Sequence, residues 1–386
     1  MFKYYIPFTD NIYTAELKFK KVFGKSSVLN FGGKVTATSL QNSSTYNSFN
    51  NHSEWMDDTA MNYTYKYNEN IYALYASYNG KLKKLEYQLG FRGEYTATKS
   101  NLVSENSVSR NNYFSPFPSV YLKYPVNKMG NDFLTASYTR RVNRPSFNAL
   151  NPFQYYMDNY SISQGNPHLQ PSFENSYELG YNYHNKYSVL LFYAQEKNMA
   201  AQYVTISPTD SLLAIYKIQN LGKKISYGIY MNASVNVTKW WSMNNDFTLR
   251  EDDHQLQNLD LKRTAVEIKT SQSFILPKQY SINLDAFYLN HEISGSFVTN
   301  PVFSMDIGAQ KKLFKNKLII KAAANNIFNY KLNADIYYSA DNVGKMVKRE
   351  QWHTFNLSAI YNFNLGKAFR IKTLEHSNAD EKSRLQ

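Results

Sequence analysis

The segment Leu85-Glu86-Tyr87-Gln88-Leu89-Gly90-Phe91-Arg92-Gly93-Glu94-Tyr95-Thr96-Ala97 alternates along its whole length. Its odd positions are apolar, aromatic or small, whereas Glu86, Gln88, Arg92, Glu94 and Thr96 between them are polar. A period of two belongs to a strand, whose successive side chains point to opposite faces. Held for about thirteen residues, it is roughly twice the length of an ordinary globular strand and fits a bilayer-spanning β-barrel better than a soluble sandwich. The same unit returns at Ile225 to Thr238, where only Tyr230 breaks the polar set, and again at Tyr280 to Tyr288 and His353 to Phe363. Wound as helices, these segments would scatter their apolar residues around the whole cylinder and leave no stripe.

Composition supports that class. The 386 residues include 34 Tyr and 24 Phe, which suits a wall that needs aromatic girdles at two membrane interfaces. Mean hydropathy is −0.54, and the longest apolar run, Val189 to Ala194, is far too short for a spanning helix. A helical membrane protein is thereby excluded. The absence of cysteine excludes disulfides and thiolate metal sites. A net charge of +13 raises nucleic acid as a partner, but the basic residues are dispersed without a dense cluster, so no nucleic-acid role is expected and the charge is assigned to lumen and rim.

Connections give the topology. Short turns fall at Gly24-Lys25, Asn79 to Lys81, Asn127 to Gly130, His184 to Lys186, Thr238-Lys239, Pro277 to Gln279 and Lys315-Asn316. Between them lie long polar segments: Ser39 to Asn68, Lys99 to Asn111, Asn143 to Gln170, Glu196 to Gly222, Glu251 to Lys262, His291 to Ser296 and Asn329 to Glu350. Short periplasmic turns alternating with longer extracellular loops are the pattern of outer-membrane barrels. The pattern predicts fifteen spans, near 11–23, 26–38, 69–79, 83–98, 113–126, 131–142, 172–183, 187–195, 223–237, 240–250, 263–276, 280–290, 297–313, 317–328 and 351–365. Single-chain bacterial barrels close with an even number, and the start Met1-Phe2-Lys3-Tyr4-Tyr5 has no export signal. Residues 1–366 are therefore expected to be the C-terminal part of a barrel of about 22 strands, the size of plugged outer-membrane transporters. About seven strands would precede it, and a descending first strand fits that parity. Residues 367–386 are expected to form a disordered periplasmic tail.

Three groups of residues stand out in the middle of the chain: Arg141, Asn143, Arg144 and Pro145; Leu150, Asn151, Pro152 and Phe153; and Gly165, Asn166, Pro167, Leu169 and Pro171. Alternation points Arg141 into the lumen near the extracellular end of its strand, and Pro145, which offers no N–H, stops pairing. Gly165 permits a close-packed backbone, and Pro167 holds Asn166 extended before the chain re-enters the barrel. The physical role expected first is a loop folded inward and pinned by Arg141 and Arg144. Contact of those two arginines with an anionic solute is the alternative. The aromatic content of Asn143 to Gln170 predicts that this segment is ordered against the barrel mouth, unlike Ser39 to Asn68.

These residues resemble the signature of the outer-membrane β-barrel family found at the C-terminal end of TonB-dependent receptor-like proteins of Bacteroidetes. The resemblance extends to Tyr63 to Thr98, Tyr177 to Tyr181, Tyr216 to Leu221 and the tail Ala379-Asp380-Glu381. It departs at Ser172, where an acidic residue commonly stands, and at Asn362, where Arg often does. It implies a cell outer-membrane receptor that takes up a large scarce solute such as a siderophore, glycan or peptide. The partners it implies are outer-membrane lipid, the extracellular solute and, through an N-terminal plug outside this chain, the inner-membrane TonB complex. A non-transporting barrel acting as surface adhesin or assembly scaffold is the alternative.

Other chemistry is sparse. The seven histidines include no pair at His-x-x-x-His spacing, so no metal site is expected. Glu251-Asp252-Asp253-His254 is expected to be a solvated acidic loop rather than a cation site. Trp240-Trp241 falls at a periplasmic turn, where indoles anchor. No nucleophile motif or phosphate-cradling loop is present, so neither catalytic residues nor a cofactor are expected.

Overall fold

A strand with one greasy and one polar face is stable only if neighbours on both edges pair its backbone, and the computed structural model shows how far this chain meets that demand. The structure describes residues 2–5, 7–24, 26–49, 55–57, 62–256, 259–330, 333–338, 342–347, 353–363 and 379–385. Fifteen wall strands follow one another around an antiparallel sheet: β1 (Phe8–Phe23), β2 (Ser27–Phe49), β3 (Tyr63–Leu82), β4 (Leu85–Leu102), β5 (Ser107–Pro125), β6 (Phe133–Asn143), β7 (Ser172–Tyr183), β8 (Tyr187–Ile206), β9 (Ala214–Asn236), β10 (Trp241–Leu256), β11 (Leu259–Leu276), β12 (Tyr280–Leu289), β13 (Val302–Leu313), β14 (Leu318–Asn325) and β15 (Thr354–Tyr361). Each pairs with the next in sequence order. Among the described residues β1 and β15 each pair along one edge, so the wall is open between them.

All fifteen expected spans are present, with altered ends. The hairpin expected at Asn79 to Lys81 turns instead at Lys83-Lys84, with Lys83 at a positive φ of 54°, the conformation that tight hairpins demand. The strand expected from residue 297 begins at Val302. Phe297–Thr299 instead joins Glu292–Ser294, Asn333–Tyr337 and Val343–Val347 in a separate four-stranded sheet. Several expected loops are paired β-structure: β2 runs to Phe49, β8 to Ile206 and β10 to Leu256. At 20 to 23 residues, the longest strands exceed the roughly 10 residues that cross a bilayer. Backbone pairing continues beyond the apolar band because polar side chains do not interrupt it.

Sidedness follows the alternation. On β3 and β4 the outward residues Leu74, Leu89, Phe91 and Tyr95 are exposed, with Leu74 at 74%, whereas the inward Glu69, Glu94 and Thr96 are buried, with Glu94 at 5%. This inverts the usual distribution of a soluble protein. Trp240, in the turn, and Trp241, which opens β10, lie with their rings 6.0 to 6.4 Å from each other and from Phe274, the Trp241–Phe274 pair stacked and the other two tilted, a short aromatic stretch at the edge of the band.

Two inner segments complete the fold. After β6 the chain makes a single helical turn, α1 (Phe147–Leu150), then short strands Gln154–Asp158 and Ser161–Gln164; the second of these pairs in parallel with the start of β9. Near the C-terminus, α2 (Ala379–Ser383) lies against the inner face of β2. The expectation of a disordered tail therefore fails for 379–385, whose charges find buried partners on the wall; residues 367–378 lie outside the described residues.

The wall assignment is tested by placing charge on each face of β4. Leu89→Arg should cost about 2 to 4 kcal/mol in a bilayer folding assay, and Gln88→Arg much less. Equal costs would remove the sidedness.

Candidate lumenal site

The signature segment is built inward from both ends. Asn143 ends β6 with its side-chain amide donating to Glu196 at 3.0 Å. Arg144 bends away and donates to Glu94, which also accepts from Arg92 Nε at 2.5 Å. Ser146 caps α1 by accepting from the Ala149 amide at 3.2 Å. Phe147, Ala149 and Leu150 then enter a buried cluster with Leu40, Tyr65, Tyr67 and Leu169. Asn151 Oδ1 accepts from the Tyr63 hydroxyl at 3.0 Å and from the Phe153 amide at 3.3 Å. Pro152 is half-buried, and the Phe153 ring lies 5.7 Å from Tyr63 and 5.9 Å from Tyr155.

The return leg packs on the outward one. A Cβ on Gly165 would stand 1.8 Å from the Asn151 carbonyl oxygen, so only glycine fits there. The Asn166 amide donates to the Ala149 carbonyl at 2.6 Å, and its side chain donates to the Ile218 carbonyl at 3.2 Å. Pro167 and the buried Leu169 line a small cavity with Tyr113, and the Pro171 carbonyl accepts from Asn198. Ser172, one of the two departures from the family pattern, donates to Glu196. The expected ordering of Asn143 to Gln170 is seen for 143–153 and 161–170, whereas Tyr155, Tyr156 and Tyr160 are exposed. Of the two arginines expected to pin the segment, Arg144 is in the Glu94 pair and Arg141 is exposed, without a pair among the described residues.

The tail supplies the other wall of this site. Glu381 receives Lys34 Nζ at 3.0 and 3.2 Å and Thr36 Oγ1 at 3.2 Å. Arg384 Nη1 donates to both Glu69 oxygens at 2.7 and 2.9 Å, and its guanidinium covers the Phe147 ring at 4.2 Å. A cavity of about 740 Å³ remains between α2 and the wall, lined by Glu16, Lys18, Arg92, Arg141 and Glu381 among others.

One inner row is less satisfied. Arg141, Glu174, Glu196, Lys224 and His254 are successive cross-strand partners on β6 to β10. Directly opposed residues share a face, and at about 4.8 Å per strand the row spans roughly 19 Å. Glu196 is held by Ser172 and Asn143. Arg141, Glu174 and Lys224 make no ion pair among the described residues. His254 is buried, and neither ring nitrogen has a protein partner. Glu196, Lys224 and His254 face a cavity of about 440 Å³ shared with Pro145, Ser146 and Gly295.

The acidic run at 251–254 is thus not a solvated loop. Alternation splits it, so that Asp252 turns inward to Arg250 and Ser226 while Glu251 meets Lys262 and Thr264. Sequence reasoning missed Lys34, Glu69, Glu94, Glu196 and Lys224 as site residues. Their signal was a charge at an inward position of a strand, which continuing the alternation through the polar segments would have caught.

Residues 2–371 match the sequence profile of the outer membrane protein beta-barrel family. No curated protein matches the chain. Among solved structures, it is similar to the copper transporter OprC at 9% identity and a TM-score of 0.67, covering 93% of this chain and 59% of that one. It is similar to the ferric yersiniabactin uptake receptor FyuA from Yersinia pestis at 12% identity and a TM-score of 0.64, covering 94% and 56%. The siderophore receptor PiuA from Acinetobacter baumannii gives 12% identity and a TM-score of 0.62, covering 92% and 56%. The chain spans less than two thirds of each of these proteins.

Two outcomes are expected of the site's structure. Gly165→Ala should separate the two legs of the signature and cost about 1 to 3 kcal/mol, seen as faster proteolysis between residues 143 and 170. Burial pushes the His254 imidazole down to about 4, with Lys224 adding to the shift and Asp252, Glu196 and Asp253 opposing it. An unfolded histidine takes its proton near pH 6.5, so between about pH 6.5 and 4 the unfolded chain binds more protons and stability falls as pH falls. From pH 7 to 5 this amounts to about 2 kcal/mol. Denaturant midpoints in detergent should show that loss, and His254→Gln should remove it.

Proposed function

We propose that this chain, which belongs to the outer membrane protein beta-barrel family, is the wall of a TonB-dependent outer-membrane receptor that takes up a large, scarce solute. The observation that carries the reading is the inner face of the wall. An outward apolar band holds the barrel in lipid, and the lumen it encloses is polar and charged and keeps cavities of hundreds of cubic ångströms. A surface scaffold needs only the outer face and the hairpins, whereas a conduit needs an inner face that meets solute.

The row from Arg141 to His254 is the part of that face with bonding capacity to spare. Its two unpaired cations, Arg141 and Lys224, stand on either side of Glu174 and Glu196, and the buried imidazole, neutral near pH 7, offers one donor and one acceptor. A solute bearing an anionic group together with hydrogen-bonding groups fits this array. The strand extensions beyond the bilayer present it to the outside. Energy for release would come from the inner-membrane TonB complex through a plug, which in plugged barrels of this size occupies the lumen.

Depletion of solutes from the growth medium tests this reading. A strain carrying the complete gene should remove at least one solute that a deletion strain leaves, and a protonophore should abolish the difference. Arg141→Ala with Lys224→Ala should lower the initial rate about tenfold, a loss near 1.4 kcal/mol of contact energy, with the barrel still folded. Depletion that is independent of the gene or of the protonophore would favour the scaffold.

A further inference from the structure

The tail contacts ask for a role that solute uptake does not supply. Glu381 and Arg384 stand three residues apart, which places them on one side of a helical turn. They meet two wall charges of opposite sign, Lys34 on β2 and Glu69 on β3. All four are largely buried, with side-chain exposures of 10 and 8% for Lys34 and Glu381 and of 2 and 12% for Glu69 and Arg384. Breaking a buried pair by removing one partner leaves an uncompensated charge and costs far more than losing a surface pair. The wall therefore carries a charge pattern that α2 complements.

The contacts also reach the signature turn. Arg384 Nε donates to the Pro145 carbonyl at 3.2 Å, its own carbonyl accepts from the Phe147 amide at 2.9 Å, and Leu385 packs against the cluster containing Phe147 and Leu150. The Phe147 amide is among the first in α1, where no intrahelical acceptor exists. The tail thus holds both the wall and the inward loop, and Asp380, Glu381, Ser383 and Arg384 line the 740 Å³ cavity.

We propose that Ala379–Leu385 is a lumenal latch. The inner face of β2 and β3 together with the Pro145–Phe147 turn forms a binding site for a short peptide that carries an acidic and a basic residue three positions apart. The chain's own C-terminal segment occupies it, obstructing part of the lumen and fixing the signature turn. Because neither ion pair requires a solute or TonB, the proposal stands apart from the uptake reading.

The chain contains no cysteine, so Leu385→Cys, with any cysteine outside this chain replaced by serine, gives a single reporter. In the complete protein, folded in outer-membrane vesicles, a polymer-linked maleimide should label it slowly. Glu381→Lys should raise the rate about tenfold or more, and adding Lys34→Glu should bring it back towards the starting value by restoring opposite charges. Arg384→Glu, which leaves the wall untouched, should also raise the rate. In the complete protein lacking 379–386, the fluorescently tagged synthetic peptide Ala-Asp-Glu-Lys-Ser-Arg-Leu should bind, and the Lys34→Glu, Glu69→Lys double variant of that protein should not hold it. Fast labelling of the parent reporter, failure of Lys34→Glu to reverse Glu381→Lys in a folded barrel, or absence of peptide binding to the shortened protein would each overturn the latch.

Discussion

A peptide group in hydrocarbon has no water to bond, so a chain that crosses a membrane as strands must satisfy every wall N–H and C=O from a neighbouring strand. Most of this structure follows from that requirement. It forces fourteen successive pairings among the fifteen wall strands, and the pleat of each strand then sends alternate side chains to lipid and to lumen. The outward set must be apolar, which leaves the inward set as the place where charges can stand. Lys34, Glu69, Glu94, Arg144, Glu196 and Asp252 sit on or reach that inner side and are all half-buried or buried.

A charge in that position needs a partner close by, and the chain supplies partners in two ways. Some come along the same strand two residues away, as Arg92 does for Glu94 and Arg250 for Asp252. Others come from segments that fold inward: Arg144 from the signature loop, and Glu381 and Arg384 from the tail. The inner segments are thus tied to the wall by electrostatics as well as by the cluster around Phe147. Segments lacking such anchors behave differently, and the strand Gln154–Asp158 is exposed along its whole length.

What the sequence made legible was whatever depends on period. Strand number, order and sidedness follow from alternation, as Leu89, Phe91 and Tyr95 against Glu94 and Thr96 show. Strand ends were less legible, because Ser39 to Phe49 is mostly polar and Glu196 to Ile206 opens on the polar Glu196-Lys197-Asn198, and both pair as strands all the same; a polar stretch marks the end of the lipid band and not the end of pairing. The fold of Asn143 to Gln170 was legible in its punctuation at Pro145, Gly165 and Pro167. The partners of Glu69 and Lys34 were not, since they lie more than three hundred positions away in the tail and no local pattern encodes that distance.

Residue by residue, the signature has little left over for a solute. Asn143 donates to Glu196 and Arg144 Nη2 to Glu94, with only Arg144 Nε lacking a partner among the described residues, while Asn151 accepts from Tyr63 and Phe153, Asn166 donates to the Ile218 carbonyl, Leu150 and Leu169 fill the buried cluster, and Gly165 makes a contact too tight for a Cβ. Arg141 alone among its charged members keeps an unpaired head group, and by register it begins the row that continues to Glu174, Glu196, Lys224 and His254 on strands outside the motif. A motif that consumes its own hydrogen bonds builds the same inward loop whatever passes by it. On the uptake reading proposed above, selectivity would rest on positions the motif leaves free, where a substitution changes the lumen without costing the loop its fold.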